Sequence, residues 1–529
     1  MRAVVLSLAL AASGVVSFAA DGPSALRLAA PFAHRMVLQR DRPVPVWGTA
    51  AAGERVIVSF AGQDKKATAG ADGRWRIDLD PLSASKESRD LVVTSSGSND
   101  RTILHDVLVG EVWFASGQSN MKFPLVWVDP RHCDEKGAMI AQYKRRPDIR
   151  FADYFRSGIL EPTNGVRGVG IVWKKFLPEN LRSDVGNPPR GYGFSAVASY
   201  FALELREELD VPIGIIASCN GGMNIEGWIP RAGYEAVPEL KWVLEKYPVP
   251  EEKFTKELVR GAIDCAFRQP MLLWNSSVEP FAPFAFRGMI WYQGEQNVAD
   301  HANYPLFLRA FYAGWTKRFE NPQMPFLFVQ VCPWGDMNVP AMQEAQASFA
   351  AAEPNASIVI ANDLGNVHDI HPNRKQLVAQ RLALQALKKV YGRTELKSDS
   401  PTVREWRIEG DRFVISFRDV ERFYVYNDDR SLDVGFEIAG ADGVWKKAEI
   451  RNFTVYTNGR TGKVFRSDEI VGNELVVSAD GVTEPKKLRF LHAAPWKGAL
   501  FNEVNLPVGA FHLECGRPEA PCVFKEEEK

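Results

Sequence analysis

"DVLVGEVWF", residues 106–114, runs directly into "ASGQSNM", residues 115–121. The first stretch is an apolar run rich in Val and aromatic residues; the second breaks at Gly117 and continues in small polar residues. A strand that ends this way lifts one side chain clear of the sheet's carboxyl edge, where open α/β sheets bind their ligands. Ser119 occupies that position.

The same pattern recurs through the middle of the chain. Strand-like runs "VPIGIIAS", "FRGMIWY", "MPFLFVQV" and "ASIVIAN" alternate with the helical stretches "FSAVASYFALELREEL", "YPLFLRAFYAGWTKRF" and "RKQLVAQRLALQALKKV". Such alternation predicts a parallel sheet with helices on both faces. The flanks read differently. Short alternating segments "RVIVSF", "RWRIDL" and "DLVVTSS", separated by Gly, Asp and Ser turns, predict an antiparallel β domain over residues 20–108. "RFVISF", "DVGFEIAG" and "NELVVSA" predict a second β domain over 396–529, leaving 109–395 for the α/β unit.

The chain has 529 residues, 46% hydrophobic and 24% charged, with a formal net charge of −1. That balance fits a globular protein and gives no electrostatic reason to expect nucleic acid or an anionic membrane as partner. Residues 1–19 read as a secretory leader: one Arg, an apolar stretch, then Ser17 and Ala19 as the small residues before a cut. The expected protein is secreted or periplasmic, without membrane insertion. In an oxidising compartment Cys515 and Cys522, in "ECGRPEAPC", are expected to pair. Nothing in the sequence indicates an oligomeric state.

Four central strands end in polar, glycine-bearing loops: "SGQSN", "CNGGMN", "QGEQN" and "NDLGNVHDIHP". In a parallel sheet all four ends lie on one edge, so residues about 250 positions apart can converge there. Individually, each loop is an ordinary turn or helix cap. Together they meet the requirements of acyl transfer. Ser119 is the candidate nucleophile, and His371, titrating near neutrality, the candidate base. Asp369 or Glu295 would fix the imidazole tautomer. Oxyanion donors would be the Ser119 N–H, the Gly221 or Gly222 N–H, and the side-chain amide of Gln293 or Asn297. "HDIH" spaces His368 and His371 for a metal, but "H-E-x-x-H" and paired-Cys sites are missing, so no metal and no cofactor are expected. The lack of a G-x-S-x-G elbow disfavours an ordinary α/β-hydrolase.

"SGQSNM", "GGMNIEGW", "RGMIWYQGE" and "DIHPNRKQLVAQRLAL" resemble, in order and spacing, the sialate O-acetylesterase family of SGNH-type hydrolases. "RMVLQRDRPVPVWG" and "LRFLHAAPWKGALFNEVNLPVGAF" are similar to that family's flanking β regions. The resemblance implies a flavodoxin-like SGNH core with flanking β domains and a serine esterase acting on O-acetylated carbohydrate. It also implies Ser119 as nucleophile, His371 as base, and the glycine loop with Gln293 as oxyanion donors. The family's "WYQGESNA" is here "WYQGEQNVAD", and "LWNSSVEP" replaces "LYNGMIHP"; these changes touch neither Ser119 nor His371. Acetylxylan or another acetylated polysaccharide is the alternative substrate, and a non-catalytic carbohydrate-binding protein the rival reading. Trp113, Trp228, Trp291 and Trp334 are candidate surfaces for stacking on sugar.

Overall fold

The computed structural model describes residues 26–96, 100–134, 145–153, 171–181, 193–248, 268–335, 339–365, 368–426, 434–453, 455–457, 464–466, 469–492 and 500–515. The leader expected at residues 1–19 and Cys522 lie outside them.

Parallel strands form the centre, in the spatial order Arg146–Asp153, Ile213–Cys219, Arg101–Gly117, Gly288–Tyr292, Phe326–Val329 and Ala356–Val359. Trp173–Phe176 adds an antiparallel outer edge. Successive side chains point to opposite faces, and both faces are covered. Phe114, Ile216, Met289 and Phe328 join one apolar cluster, while Trp113, Ala115, Ile215, Ile290 and Leu327 join another. Burial on both sides explains why these strands read as continuous apolar runs rather than alternating ones. The Ala196–Leu209 and Lys375–Lys389 helices bury residues in the second cluster, and Tyr304–Arg318 does so in the first.

A further helix, Val339–Ala352, was not among those expected from the sequence. Its sequence is Ala-rich, and its buried side includes Gln343 and Gln346 beside Met342 and Phe349, so its apolar stripe is weak. The buried amides are used: Gln346 Oε1 accepts from the Val331 N–H at 2.9 Å and its Nε2 donates to the Gln293 carbonyl at 3.2 Å.

The chain reverses its direction of travel across the sheet at the Arg101–Gly117 strand. Its neighbour on one side is Ile213–Cys219 and on the other Gly288–Tyr292. This is the topological switch point, where a crevice opens beyond the strand ends. Gly117 makes the exit possible. Its φ is +138°, and a Cβ there would stand 2.2 Å from the Tyr292 carbonyl oxygen.

The border expected between residues 108 and 109 falls inside this 17-residue strand. Its first part pairs antiparallel with Ser85–Ser95, its middle parallel with Val37–Gln39, and its end with the two parallel neighbours. The N-terminal β segments also share one apolar cluster with a face of the central sheet. Glu111 is fully buried at this junction, bound by Gln39 at 3.1 Å, Arg40 at 2.5 Å and Arg287 at 2.8 Å. Burial alone would raise its carboxyl. The hydrogen bonds and charge of Arg287, with the hydrogen bonds of Arg40 and Gln39, outweigh burial and hold it below the usual carboxylate range.

The C-terminal region forms a seven-stranded antiparallel sheet with its own apolar core, including Phe413, Phe436, Leu488 and Phe490. Cys515 is disulfide-bonded, while Cys133, Cys219 and Cys332 carry free thiols. Among the described residues no helix is long and apolar enough to cross a membrane.

Candidate active site

Ser119 opens a four-residue helix, Ser119–Lys122, immediately after the Gly117 exit. Neighbouring elements hold this turn firmly. The Gln118 N–H donates to the Tyr292 carbonyl at 3.0 Å, and Ser195 Oγ donates to the Met121 carbonyl at 2.6 Å. Ser195 is also the N-cap of Ala196–Leu209, accepting from the Ala198 N–H at 3.1 Å. One hydroxyl therefore starts a helix and fixes the Ser119 turn against it.

His371 arrives from the loop after Ala356–Val359 and places Nε2 2.7 Å from Ser119 Oγ. Asp369 Oδ1 accepts the His371 backbone N–H at 2.8 Å and lies 3.9 Å from its Nδ1. Burial lowers the imidazole below its ordinary value, the Lys375 charge adds to this, and Asp369 opposes it. Burial and the Lys375 charge both favour the neutral imidazole, the form that can take a proton from a serine.

Gly221 faces Ser119 directly: a Cβ at that position would stand 3.5 Å from Ser119 Cβ. Gly222, with φ +70°, makes the turn. The backbone N–H of Ser119 lies in the first helical turn and has no intrahelical acceptor. Gly221 itself is exposed.

The remaining expected residues have other employment. Glu295 is buried, and its Oε1 accepts from Asn120 Nδ2 at 2.5 Å instead of orienting His371. Gln293 is fully buried; Nε2 donates to the Met223 carbonyl at 3.2 Å and to Asn297 Oδ1 at 2.7 Å, and Oε1 accepts from the Tyr304 hydroxyl at 2.6 Å. Asn297 is equally buried and donates to Glu226 Oε2 at 2.9 Å. These amides link the second and third loops to each other. The proposed sugar-stacking role fails for Trp113, Trp228 and Trp291, which are core residues 0–1% exposed. Trp334 is partly buried and packs against the core.

Four residues at or near the site escaped the sequence reading. Asn120 connects three elements: Nδ2 donates to Glu295 and to the Ile370 carbonyl at 2.9 Å, and Oδ1 accepts from Lys375 Nζ. Lys375 is fully buried, and burial brings its ammonium down to about 8. Its ammonium also lies over the rings of Phe123 and Tyr292, at 5.1 and 5.3 Å. A readable signal existed, because Lys375 lies on the stripe of Val378, Ala379 and Leu382 at helical spacing. Glu226 is buried and raised to about 7 by desolvation, against the Asn297 hydrogen bond. Trp127 is 57% exposed, and its carbonyl accepts from Asn373 Nδ2 at 3.4 Å, two residues beyond His371.

Residues 178–388 match the family model described as carbohydrate esterase, sialic acid-specific acetylesterase. Rat (Rattus norvegicus) sialate O-acetylesterase is 27% identical over 481 residues, covering 82% of this chain and 86% of the relative. The human (Homo sapiens) sialate O-acetylesterase is 26% identical over 447 residues, covering 78% and 80%. The crystal structure of a carbohydrate acetylesterase from Xanthomonas citri superposes with a TM-score of 0.75 at 29% identity, covering 92% of this chain and 99% of that one. The family model takes in the loop that carries His371, and most of the chain is similar to sialate O-acetylesterases and to a carbohydrate acetylesterase.

Proposed function

We propose that this protein is an exported serine esterase that removes O-acetyl groups from sugars, with O-acetylated sialic acid as the leading substrate. The observation that carries the reading is the 2.7 Å contact between Ser119 Oγ and His371 Nε2 at the switch point of the sheet. His371 Nε2 takes the Ser119 proton as Oγ attacks the acetyl carbonyl. The oxyanion forms above Ser119, within reach of the Ser119 and Gly221 N–H groups. His371 then protonates the departing sugar oxygen, leaving an acetyl-enzyme. In the second half, His371 deprotonates a water that attacks this ester, and acetate leaves as Ser119 recovers its proton. Asp369 is the third member, holding the His371 loop and biasing its Nδ1 toward the protonated tautomer. Once the Arg146–Asp153 insertion is set aside, the central strands run 2-1-3-4-5, which supports the flavodoxin-like SGNH reading. The sialic acid preference rests on the relatives' activity; acetylated xylan is the alternative on the same chemistry.

Purified protein assayed for acetate release from O-acetyl sialic acids, acetylated xylan oligomers and simple acetyl sugars tests both parts. Ser119→Ala is expected to lose activity by several orders of magnitude while keeping the fold. Substantial activity in that variant overturns the mechanism, and no acetate release from any substrate by the parent protein favours a binding protein instead.

A further inference from the structure

One group of potential ligand side chains lies apart from Ser119 and His371. Glu344 belongs to the Val339–Ala352 helix, His492 follows the Lys487–Phe490 strand, and His512 lies in Phe511–Glu514. His492 Nε2 stands 3.0 Å from Glu344 Oε1; His512 Nδ1 stands 2.7 and 2.8 Å from its two oxygens. The imidazole planes are inclined at 80° with centroids 6.1 Å apart, so the rings do not stack but aim nitrogens at a shared point. One donor atom from each residue lies within 4.8 Å of the others.

We propose that Glu344, His492 and His512 form a zinc-binding site that joins the helical layer to the C-terminal sheet. Two imidazole nitrogens and one carboxylate oxygen suit Zn²⁺, which takes such ligands at about 2.0–2.2 Å in tetrahedral geometry. Donors at those bond lengths lie about 3.3 Å apart, so the observed N···O separations need to open by only a few tenths of an ångström. Two imidazoles aimed at one carboxylate either each donate an N–H to it or share one cation with it, and the converging atoms give the second arrangement its donors. A cleft lined by Trp445, Arg489, His492 and His512 leaves the site open for water as fourth ligand. The cleft's cations are already neutralised: Arg489 pairs with Glu437 at 2.7 Å and lies over Trp445, and Lys487 pairs with Glu514 at 2.6 Å. The three proposed ligands come from the Val339–Ala352 helix and the C-terminal sheet, and not from the Ser119 or His371 loops, so this site is independent of the esterase reading.

The test is titration of chelator-treated full-length protein with ZnCl₂ at pH 7.5, by calorimetry and thermal melting. Expected are one Zn²⁺ per chain and a rise in Tm of several degrees. His512→Gln, His492→Ala and Glu344→Gln should each weaken binding by more than the roughly 10–100-fold that outer-shell partners are worth. Co²⁺ added to the unmutated protein should give the intense visible bands of a tetrahedral site. Absence of saturable binding overturns the proposal, as does binding that survives in the correctly folded His492→Ala/His512→Gln double variant.

Discussion

Asp369 grips His371 through the backbone more tightly than through the ring: its Oδ1 is 2.8 Å from the His371 backbone nitrogen and 3.9 Å from Nδ1. The side chain is also 54% exposed. In serine hydrolases whose orienting Asp is buried and hydrogen-bonded to the imidazole, exchange for Asn costs about 10⁴ in turnover. With a longer and wetter contact, Asp369→Asn is expected to lower kcat by about 10²-fold near pH 7. Glu295→Gln should lose less, because Glu295 serves Asn120 and not the ring. Steady-state kinetics of the two variants decide the matter. If Glu295→Gln is the crippled one while Asp369→Asn runs near the parent rate, the third member is wrongly assigned.

Lys375 depresses the His371 basicity from inside the protein. Replacing it with Met keeps the volume and removes the charge, so protonation of His371 becomes easier and its pKa rises. The acid limb of kcat/KM should therefore move to higher pH in Lys375→Met. A pH–rate profile identical to that of the parent would contradict this coupling.

Glu226 links pH to stability through burial. Its folded-state pKa of about 7 lies above the ordinary glutamate value of 4.5, so the native state holds the proton more tightly than the unfolded chain. The associated stability is present below pH 4.5 and is lost as pH rises through 7. The loss amounts to about 3 kcal/mol. Glu226→Gln cannot ionise and should gain on the parent between pH 5 and pH 8. Denaturant unfolding at both values measures the difference, and equal pH dependence in the two proteins refutes the assignment.

Trp127 offers an exposed ring beside the His371 loop, edge-on to Phe123 at 6.0 Å. Stacking on a sugar is worth about 1 kcal/mol, so Trp127→Ala should raise KM for acetylated sugars roughly fivefold at unchanged kcat. Hydrolysis of a small chromogenic acetate, which has no sugar face, serves as the control. An equal KM change on both substrates argues against sugar stacking.

Local chemistry made much of this protein readable in advance. An apolar run closed by Gly117 and followed by small polar residues announces a strand exit, and each run of the central sheet announces itself because both faces are buried. The "RVIVSF" and "RWRIDL" segments are strands to the residue, Arg55–Phe60 and Arg74–Leu79, since short alternating runs between turns have few other options. That Ser119 and His371 would meet was legible because a parallel sheet brings its strand ends to one edge whatever the intervening sequence. Which polar groups face that edge was decided only by tertiary packing. A Gln at a strand end reads the same whether it points into a crevice or, like Gln293, turns inward to Tyr304 and Asn297. Helical spacing puts Lys375 on the buried stripe of its helix, but that its ammonium ends on Asn120 Oδ1 was decided by packing. The strand through residues 108 and 109 joins two regions that differ in pattern, because its pairing partners change along its length. Glu344, His492 and His512 share no local pattern at all; only the seating of the C-terminal sheet against a helix brings them within reach of one ion.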